Sequence, residues 1–329
     1  MKAVYYEAIG PAENVLKLGD IPDPEPGPGE VRVKVRFSGL NPSDTKMRSG
    51  WAGNTEMPFP RIIPHQDGSG VIDKVGPGVP QSRVGERVWI YEAQRGRPFG
   101  TAAEYVTVSS ENAIRLPEEA NFETGACLGV PAMTAHRCLF MDGAIQGQTV
   151  LVSGGGGAVG LAAILLAKWA GARVVTTVSR AEQEAIARTA GADLIVDRKT
   201  EDVAARVKTF THGALVDRVV EVAFEANLDL NRALLKPNGV ISTYSSGARD
   251  SAPRIPFTHV MRQGLTVHFV LVYVMPREAH WAAARDTNAA IESGRYRPHL
   301  AKIYRPEQAA EAHDAQDSGV TVGKILIGF

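Results

Sequence analysis

A chain of 329 residues is longer than one hydrophobic core ordinarily holds, and its 44% hydrophobic content is that of a folded protein rather than a disordered one. Its 36 basic residues balance its 36 acidic ones, so no net field draws it to nucleic acid or to a membrane surface. Cys127 and Cys138 make no disulfide framework, and no apolar run reaches the roughly 18–20 residues of a membrane span. With a start, Met1-Lys2-Ala3-Val4-Tyr5, that reads directly into a strand, these features predict a cytoplasmic protein.

In chain order, the Pro- and Gly-rich segment from Asp20 to Glu30 forbids helix. Beyond it Val31, Val33, Val35 and Phe37 alternate with Arg32, Lys34 and Arg36, the pattern of a half-buried strand. Short β runs follow at Gly70-Val71-Ile72 and Arg87-Val88-Trp89-Ile90, punctuated by Gly76-Pro77-Gly78 and Gly85. This part predicts a compact, partly open barrel, to which the strand-like Gly323-Lys324-Ile325-Leu326-Ile327 returns.

From Thr149 the texture changes. The strand Thr149-Val150-Leu151-Val152 runs into Ser153-Gly154-Gly155-Gly156-Gly157-Ala158-Val159-Gly160, and an apolar helix follows from Leu161 to Ala170. Strand, glycine turn and helix are the setting of a dinucleotide fingerprint: glycine allows the tight turn, and missing side chains let backbone N–H groups approach a pyrophosphate at the helix N-terminus. Both Gly155-x-Gly157-x-x-Gly160 and Gly154-x-x-Gly157-x-x-Gly160 fit. Strands at Arg173–Val178, Leu194–Val196, Val216–Val222, Val240–Tyr244 and Leu265–Val274 alternate with helical segments at 181–190, 201–210 and 228–235. That alternation predicts an α/β, doubly wound parallel sheet, a Rossmann domain. The second strand ends in Val178-Ser179-Arg180 without the acid that binds ribose hydroxyls in NAD-preferring enzymes. Ser179 and Arg180 suit a 2′-phosphate instead, so NADPH is the expected cofactor.

The chain resembles the medium-chain dehydrogenases/reductases, and within them the zinc-independent, zeta-crystallin-like quinone oxidoreductases. The resemblance is carried by Ser38 to Thr45 with Arg48-Ser49-Gly50, Gly68 to Gly76, Val84 to Val88, Ala103 to Val106, Pro131 to Ala135 and the glycine run. It implies a mostly-β, GroES-like catalytic domain over 1–123 and 266–329 around a Rossmann domain over 124–265, the last Rossmann strand opening the returning segment. Where zinc enzymes of this superfamily hold a catalytic metal, Asn41 and Val130 replace two ligands and only His65 falls at a ligand position, so a metal-free site is expected.

The implied activity is hydride transfer from NADPH to a quinone or similar electron-poor carbonyl. Alternatives are an enoyl or alkenal double-bond reductase, or a non-catalytic NADPH-binding structural or RNA-binding protein, the last without a basic stripe to support it. By resemblance Asn41 is a donor near the nicotinamide or the substrate oxygen, and Asp44 supports its loop. Lys46, where relatives carry a tyrosine, either stabilises a developing anion or faces solvent. Tyr91, Gln94 and Phe99 fall in the substrate-pocket loop. Around the cofactor, the glycine loop with Ala158 and Val159 is joined by Thr134, Arg198, Ala223, Tyr244, Ser245, Ser246, Phe269 and Val270, and Lys324 approaches the phosphates. A homodimer or homotetramer is expected, joined through the Leu265–Val274 edge strands.

Overall fold

In the computed structural model, which describes residues 1–51, 56–247 and 251–329, the chain divides into two units: Met1–Val130 with Leu300–Phe329, and Pro131–His299. The first opens with β1 (Lys2–Tyr5), α1 (Ala12–Val15) and β2 (Lys17–Asp20), β1 pairing antiparallel with β2. The alternating segment forms β3 (Glu30–Leu40), with Val31, Val33 and Val35 buried and the intervening Lys34 and Arg36 exposed. α2 (Pro42–Ser49) follows at once. Asn41 is its N-cap, Pro42 enters with its φ already helical, and the Asp44 carboxylate accepts the Asn41 N–H at 2.8 Å. Then come β4 (Asp67–Val75), β5 (Arg87–Ile90), β6 (Tyr105–Ser109), β7 (Ala113–Arg115) and α3 (Phe122–Ala126).

α4 (Gly129–Phe140) leads into the second unit. There β8 (Thr149–Val152), α5 (Ala158–Trp169), β9 (Arg173–Val178), α6 (Ala181–Thr189), β10 (Leu194–Asp197), α7 (Val203–Phe210), β11 (Val216–Glu221), α8 (Phe224–Leu234), β12 (Leu235–Thr243), α9 (Phe257–Gln263), β13 (Thr266–Phe269) and α10 (Arg277–Glu292) alternate. The strands form one parallel sheet in the order β10-β9-β8-β11-β12-β13 among the described residues, the doubly wound arrangement the alternation predicts. Leu151, Val175, Val196, Val219 and Ile241 from its strands pack against Val203, Val207, Leu228 and Leu234 from its helices. Each such side chain is worth about 1.5–3 kcal/mol on burial.

The chain then returns to the first unit through β14 (Leu300–Tyr304), α11 (Ala309–Asp317) and β15 (Lys324–Gly328). β15 pairs antiparallel with β3 in a sheet ordered β14-β15-β3-β4-β5-β7, with β6 also on β3. Its register sets Ile325 opposite Leu40, which brings Lys324 beside Asn41. Val31, Val33, Val35, Ile72, Val88, Ile90 and Val106 form one core cluster of this unit.

Three local expectations are corrected. α8 starts four residues earlier than the 228–235 pattern suggests, and β12 begins at Leu235, running through Pro237 and Gly239. The expected ten-residue strand 265–274 is only four residues long: Val270 N–H makes a last rung to Thr243 C=O at 2.7 Å, and Val272–Val274 then tightens into a 3₁₀ turn that delivers Pro276 to the start of α10. Because β13 hydrogen-bonds to β12, it stays with α10 in the second unit, and the return comes at Leu300 rather than 266. Among the described residues no helix is long and apolar enough to cross a membrane.

Candidate cofactor loop and active site

The glycines of the loop divide their work. Gly154 has φ +71°, the left-handed region that favours glycine. A Cβ on Gly160 would overlap the Gly154 carbonyl, and one on Gly155 would overlap Thr176 Oγ1, so both are glycine for close packing of helix on strand. Gly157, the N-cap of α5, faces open space, its nearest neighbour for a Cβ being Gly154 O at 3.5 Å. Gly154 by its φ and Gly155 and Gly160 by their packing are thus all held to glycine, and both expected spacings are met. Ala158, Val159 and Gly160 form the first turn of α5, whose N–H groups have no intrahelical acceptor. An open glycine beside unpaired donors at a helix N-terminus is a cradle that fits a pyrophosphate.

Ser179 and Arg180 follow β9 and Arg198 follows β10, neighbouring parallel strands whose ends stand in register, Val178 opposite Asp197. Arg198 is exposed, and its N–H donates to Val178 C=O at 3.0 Å. Gln183, which sequence reasoning missed, holds this corner: its Oε1 accepts from Ser179 N–H at 3.0 Å and Ser179 Oγ–H at 3.2 Å, and its stem fills the space beside Gly156. Glu184 is engaged on its own helix with Arg188 at 2.5 Å.

At the ends of β11 and β12 the fully buried Glu221 carboxylate accepts from Ala223 N–H at 2.5 Å, Asn227 Nδ2 at 3.0 Å and Asn231 Nδ2 at 2.6 Å. Asn227 Nδ2 also reaches Ser153 Oγ at 3.2 Å, tying this turn to the head of the glycine loop. Beside it lies a cavity of about 510 Å³ lined by Ala223, Ser245, Ser246 and Phe269 among others. Those four expected cofactor residues come together. Tyr244 does not line it: burial, first of all, holds its phenol well above the usual tyrosine range. Val270 is buried, and so is Thr134 on α4.

In the first unit Asn41, Asp67 and Lys324 meet in a buried cluster. Asn41 Nδ2 donates to Asp67 Oδ2 at 2.8 Å, while Lys324 Nζ donates to Asn41 Oδ1 at 2.5 Å and to Asp67 Oδ2 at 2.7 Å. Val130 N–H takes the other Asp67 oxygen at 2.8 Å, and a Cβ on Gly129 would overlap that oxygen. The expected phosphate contact of Lys324 is thus replaced by an internal ion pair, since its side chain is 3% exposed and its ammonium is committed to both neighbours. Asp44 Oδ1 is buried without a hydrogen-bond partner. Burial, and then the charge of Asp67, push the Asp44 carboxyl up to about 8, so it holds a proton at neutral pH.

His65 points elsewhere. It has φ +81° and is fully buried, its Nδ1 2.7 Å from Ser38 Oγ and its Nε2 3.0 Å from His313 Nε2. The direction of this chain follows from its far end. Thr101 Oγ1 must donate to the Asp67 carbonyl at 2.5 Å, so it accepts from Ser38 Oγ at 2.8 Å. Ser38 then accepts from His65 Nδ1–H, leaving His65 Nε2 to accept from His313 Nε2–H. Both rings are neutral: burial is the first cause that drives their protonation below the usual histidine range, to about 3 for His313.

The remaining expected residues are dispersed. Lys46 Nζ sits 4.4 Å from the centre of the Trp51 ring, a cation–π contact. Tyr91 is buried with its hydroxyl 3.5 Å from Glu111 C=O, and Gln94 is buried in reciprocal contacts with Gln66. Phe99 lines a separate apolar cavity of about 450 Å³ with Ile21, Pro22, Phe59 and Pro98.

Residues 27–118 match the family described as "Alcohol dehydrogenase GroES-like domain" and residues 158–287 that described as "Zinc-binding dehydrogenase". The chain is 30% identical to the quinone oxidoreductase of Homo sapiens, covering 99% of this chain and 97% of that protein. It is 28% identical to a 2-haloacrylate reductase of Burkholderia sp, over 99% and 98%. Among solved structures, a NAD-dependent alcohol dehydrogenase superposes with a TM-score of 0.87 at 28% identity, and the Escherichia coli quinone oxidoreductase complexed with NADPH with 0.85 at 25%, each over the whole of both chains. The donor set around Asn41 does not suit zinc. An amide and one carboxylate are already closed by a resident ammonium, and among the described residues no three His, Cys, Asp or Glu side chains are grouped for a metal.

Proposed function

Because the chain belongs to the medium-chain dehydrogenase/reductase family, with the zeta-crystallin-like quinone oxidoreductases, we propose that this oxidoreductase uses NADPH to reduce a quinone or similar electron-poor carbonyl without zinc. The observation that carries the metal-free reading is Lys324: its ammonium neutralises Asp67 and caps Asn41 Oδ1, leaving no open coordination position. When bound, NADPH would supply a hydride to the acceptor. Ala158 and Val159 N–H groups would hold the pyrophosphate, and Ser179, Arg180 and Arg198 the 2′-phosphate. Ala223, Ser245, Ser246 and Phe269 would shape the nicotinamide end. Asn41 would donate to the acceptor oxygen, Asp44 would hold the Asn41 turn through its bond to the Asn41 N–H, and the proton that completes the reduction would come from solvent. Activated double bonds form a second substrate class, favoured by the likeness to the 2-haloacrylate reductase.

The experiment is a stopped-flow screen of NADPH oxidation against quinones, enones, 2-haloacrylate and aldehydes, with and without a zinc chelator. Quinone turnover that survives chelation is the expected result; turnover that follows added zinc would overturn the reading. The unaltered protein should bind NADPH more tightly than NADH, and Arg180→Ala should weaken NADPH by about tenfold or more while leaving NADH unchanged, since a charge-assisted contact is worth roughly 1.5–3 kcal/mol. Titration of nicotinamide fluorescence measures both.

We also propose a homodimer joined along the β13 edge, which presents Phe269 and, just beyond it, Leu271 and Val274 to solvent. Sedimentation at micromolar concentration should give twice the single-chain mass of 35.3 kDa. A species of single-chain mass would end that proposal.

A further inference from the structure

We infer that Lys324 is a positioning residue that locks the Asn41 carboxamide in one of its two possible orientations, and so decides which Asn41 atom is offered to a substrate. The inference rests on the reductase reading for its consequence but on the cluster's own chemistry for its cause. An ammonium carries only donors, so the Asn41 atom 2.5 Å from Lys324 Nζ is the carbonyl oxygen. A carboxylate only accepts, so the Asn41 atom 2.8 Å from Asp67 Oδ2 is the amide nitrogen. A flipped amide would set donors against Lys324 and oxygen against oxygen at Asp67.

The two charged partners also hold each other, Lys324 Nζ to Asp67 Oδ2 at 2.7 Å. All three side chains are buried, at 2% exposure or less for Asn41 and Asp67 and 3% for Lys324, so water does not compete for these groups. The backbone enforces the arrangement from three sides. The β15–β3 register delivers Lys324 beside Asn41, Val130 N–H pins the second Asp67 oxygen, and the bare Gly129 leaves that oxygen its space. Against Gly39, a Cβ would press on the Lys324 stem at 3.0 Å, so the lysine, too, has its path reserved.

With Oδ1 and one Nδ2–H committed to charged partners, the second amide N–H is the group left to share with a ligand, and within the chain its partner is the Asp44 carboxyl. A hydrogen-bond donor, and not an acceptor, is therefore what Asn41 presents. The ligand atom it selects is an oxygen bearing or gaining negative charge: a quinone, enone or carboxylate oxygen rather than a hydroxyl that must donate.

Lys324→Met alone leaves Asp67 buried without its cation and invites misfolding. The informative variant is therefore the neutral pair Asp67→Asn with Lys324→Met, which removes both charges while an amide still faces Asn41. The pair should fold with its thermal midpoint near that of the unaltered chain and bind NADPH with unaltered affinity. Its kcat for a quinone should fall about tenfold or more, with KM changed by less than about threefold, as expected for a lost orientation rather than lost binding. In protein labelled with 15N-asparagine, the Asn41 carboxamide should give two sharp, slowly exchanging proton signals in the unaltered chain that broaden in the pair. Unaltered kcat in the folded pair, or an unchanged Asn41 carboxamide signal, overturns the assignment. If the unaltered chain reduces no acceptor, the reductase reading fails, and the carboxamide signal by itself still decides the role of Lys324.

Discussion

Asn41→Ala is expected to lower kcat for quinone reduction about 100-fold while leaving NADPH affinity within about twofold, the size of effect seen when a single donor to a developing oxyanion is removed. The bonds of Nδ2 to Asp67 and of Lys324 to Oδ1 disappear, with the side-chain contact to Asp44, but Asp67 keeps Lys324 on one oxygen and Val130 N–H on the other. The fold should therefore lose only about 1–2 kcal/mol, and the variant should be purified folded. Lys46→Ala provides the contrast. Its ammonium lies over the Trp51 ring, and its removal should change kcat less than about threefold. Steady-state kinetics on both variants separates the two residues; a larger loss at Lys46 than at Asn41 would reassign the donor.

The elements carrying local chemistry were open to reading in the chain. A strand that runs into glycines and then an apolar helix has few other folds, and the missing acid after Val178 is a statement about two or three adjacent residues. The Asn41-Pro42-Ser43-Asp44 start of α2 was equally local, an N-cap, a proline and an acid three residues on, and that signal could have placed the helix. The partners of Asn41 were not legible, because Asp67 lies 26 residues away and Lys324 283 residues away, and neither position marks the other in sequence. Lys324 read alone was a cation near a cofactor, whereas its meaning comes from the β15–β3 register. His65 is the opposite case: it falls at a ligand position in a site expected to be metal-free, but its φ is positive, and the bonds to Ser38 and His313 that place it in the core are made with residues 27 and 248 positions away. The β13 edge shows a limit of periodicity, since an apolar run says that residues are covered or paired but not where the chain must turn to enter the next helix.

The buried histidines and Asp44 should impose opposite slopes on stability against pH in the same unit. For His313 the folded chain protonates only near 3, against the ordinary 6.5 of an unfolded one. The unfolded chain therefore binds the proton first as pH falls, so stability is complete above about 6.5 and is lost progressively toward 3. Full expression of that difference would be worth about 4–5 kcal/mol, an upper bound because local opening relieves it. Asp44 runs the other way: the folded chain keeps its proton up to about 8 while an unfolded aspartate releases it near 3.8, so stability falls as pH rises between those values. His313→Gln retains an N–H able to reach His65 Nε2 but does not titrate, and Asp44→Asn fixes the neutral form. Urea unfolding of the three proteins between pH 4 and 8, followed through the fully buried Trp89 of the first unit, separates the contributions. Relative to His313→Gln, the unaltered chain should lose stability steadily below pH 6.5. Relative to Asp44→Asn, it should lose stability from pH 4 upward. A difference that stays flat across the first window would show that His313 is already accessible to protons in the native state, and the directed chain from His313 through His65 and Ser38 to Thr101 would have to be abandoned.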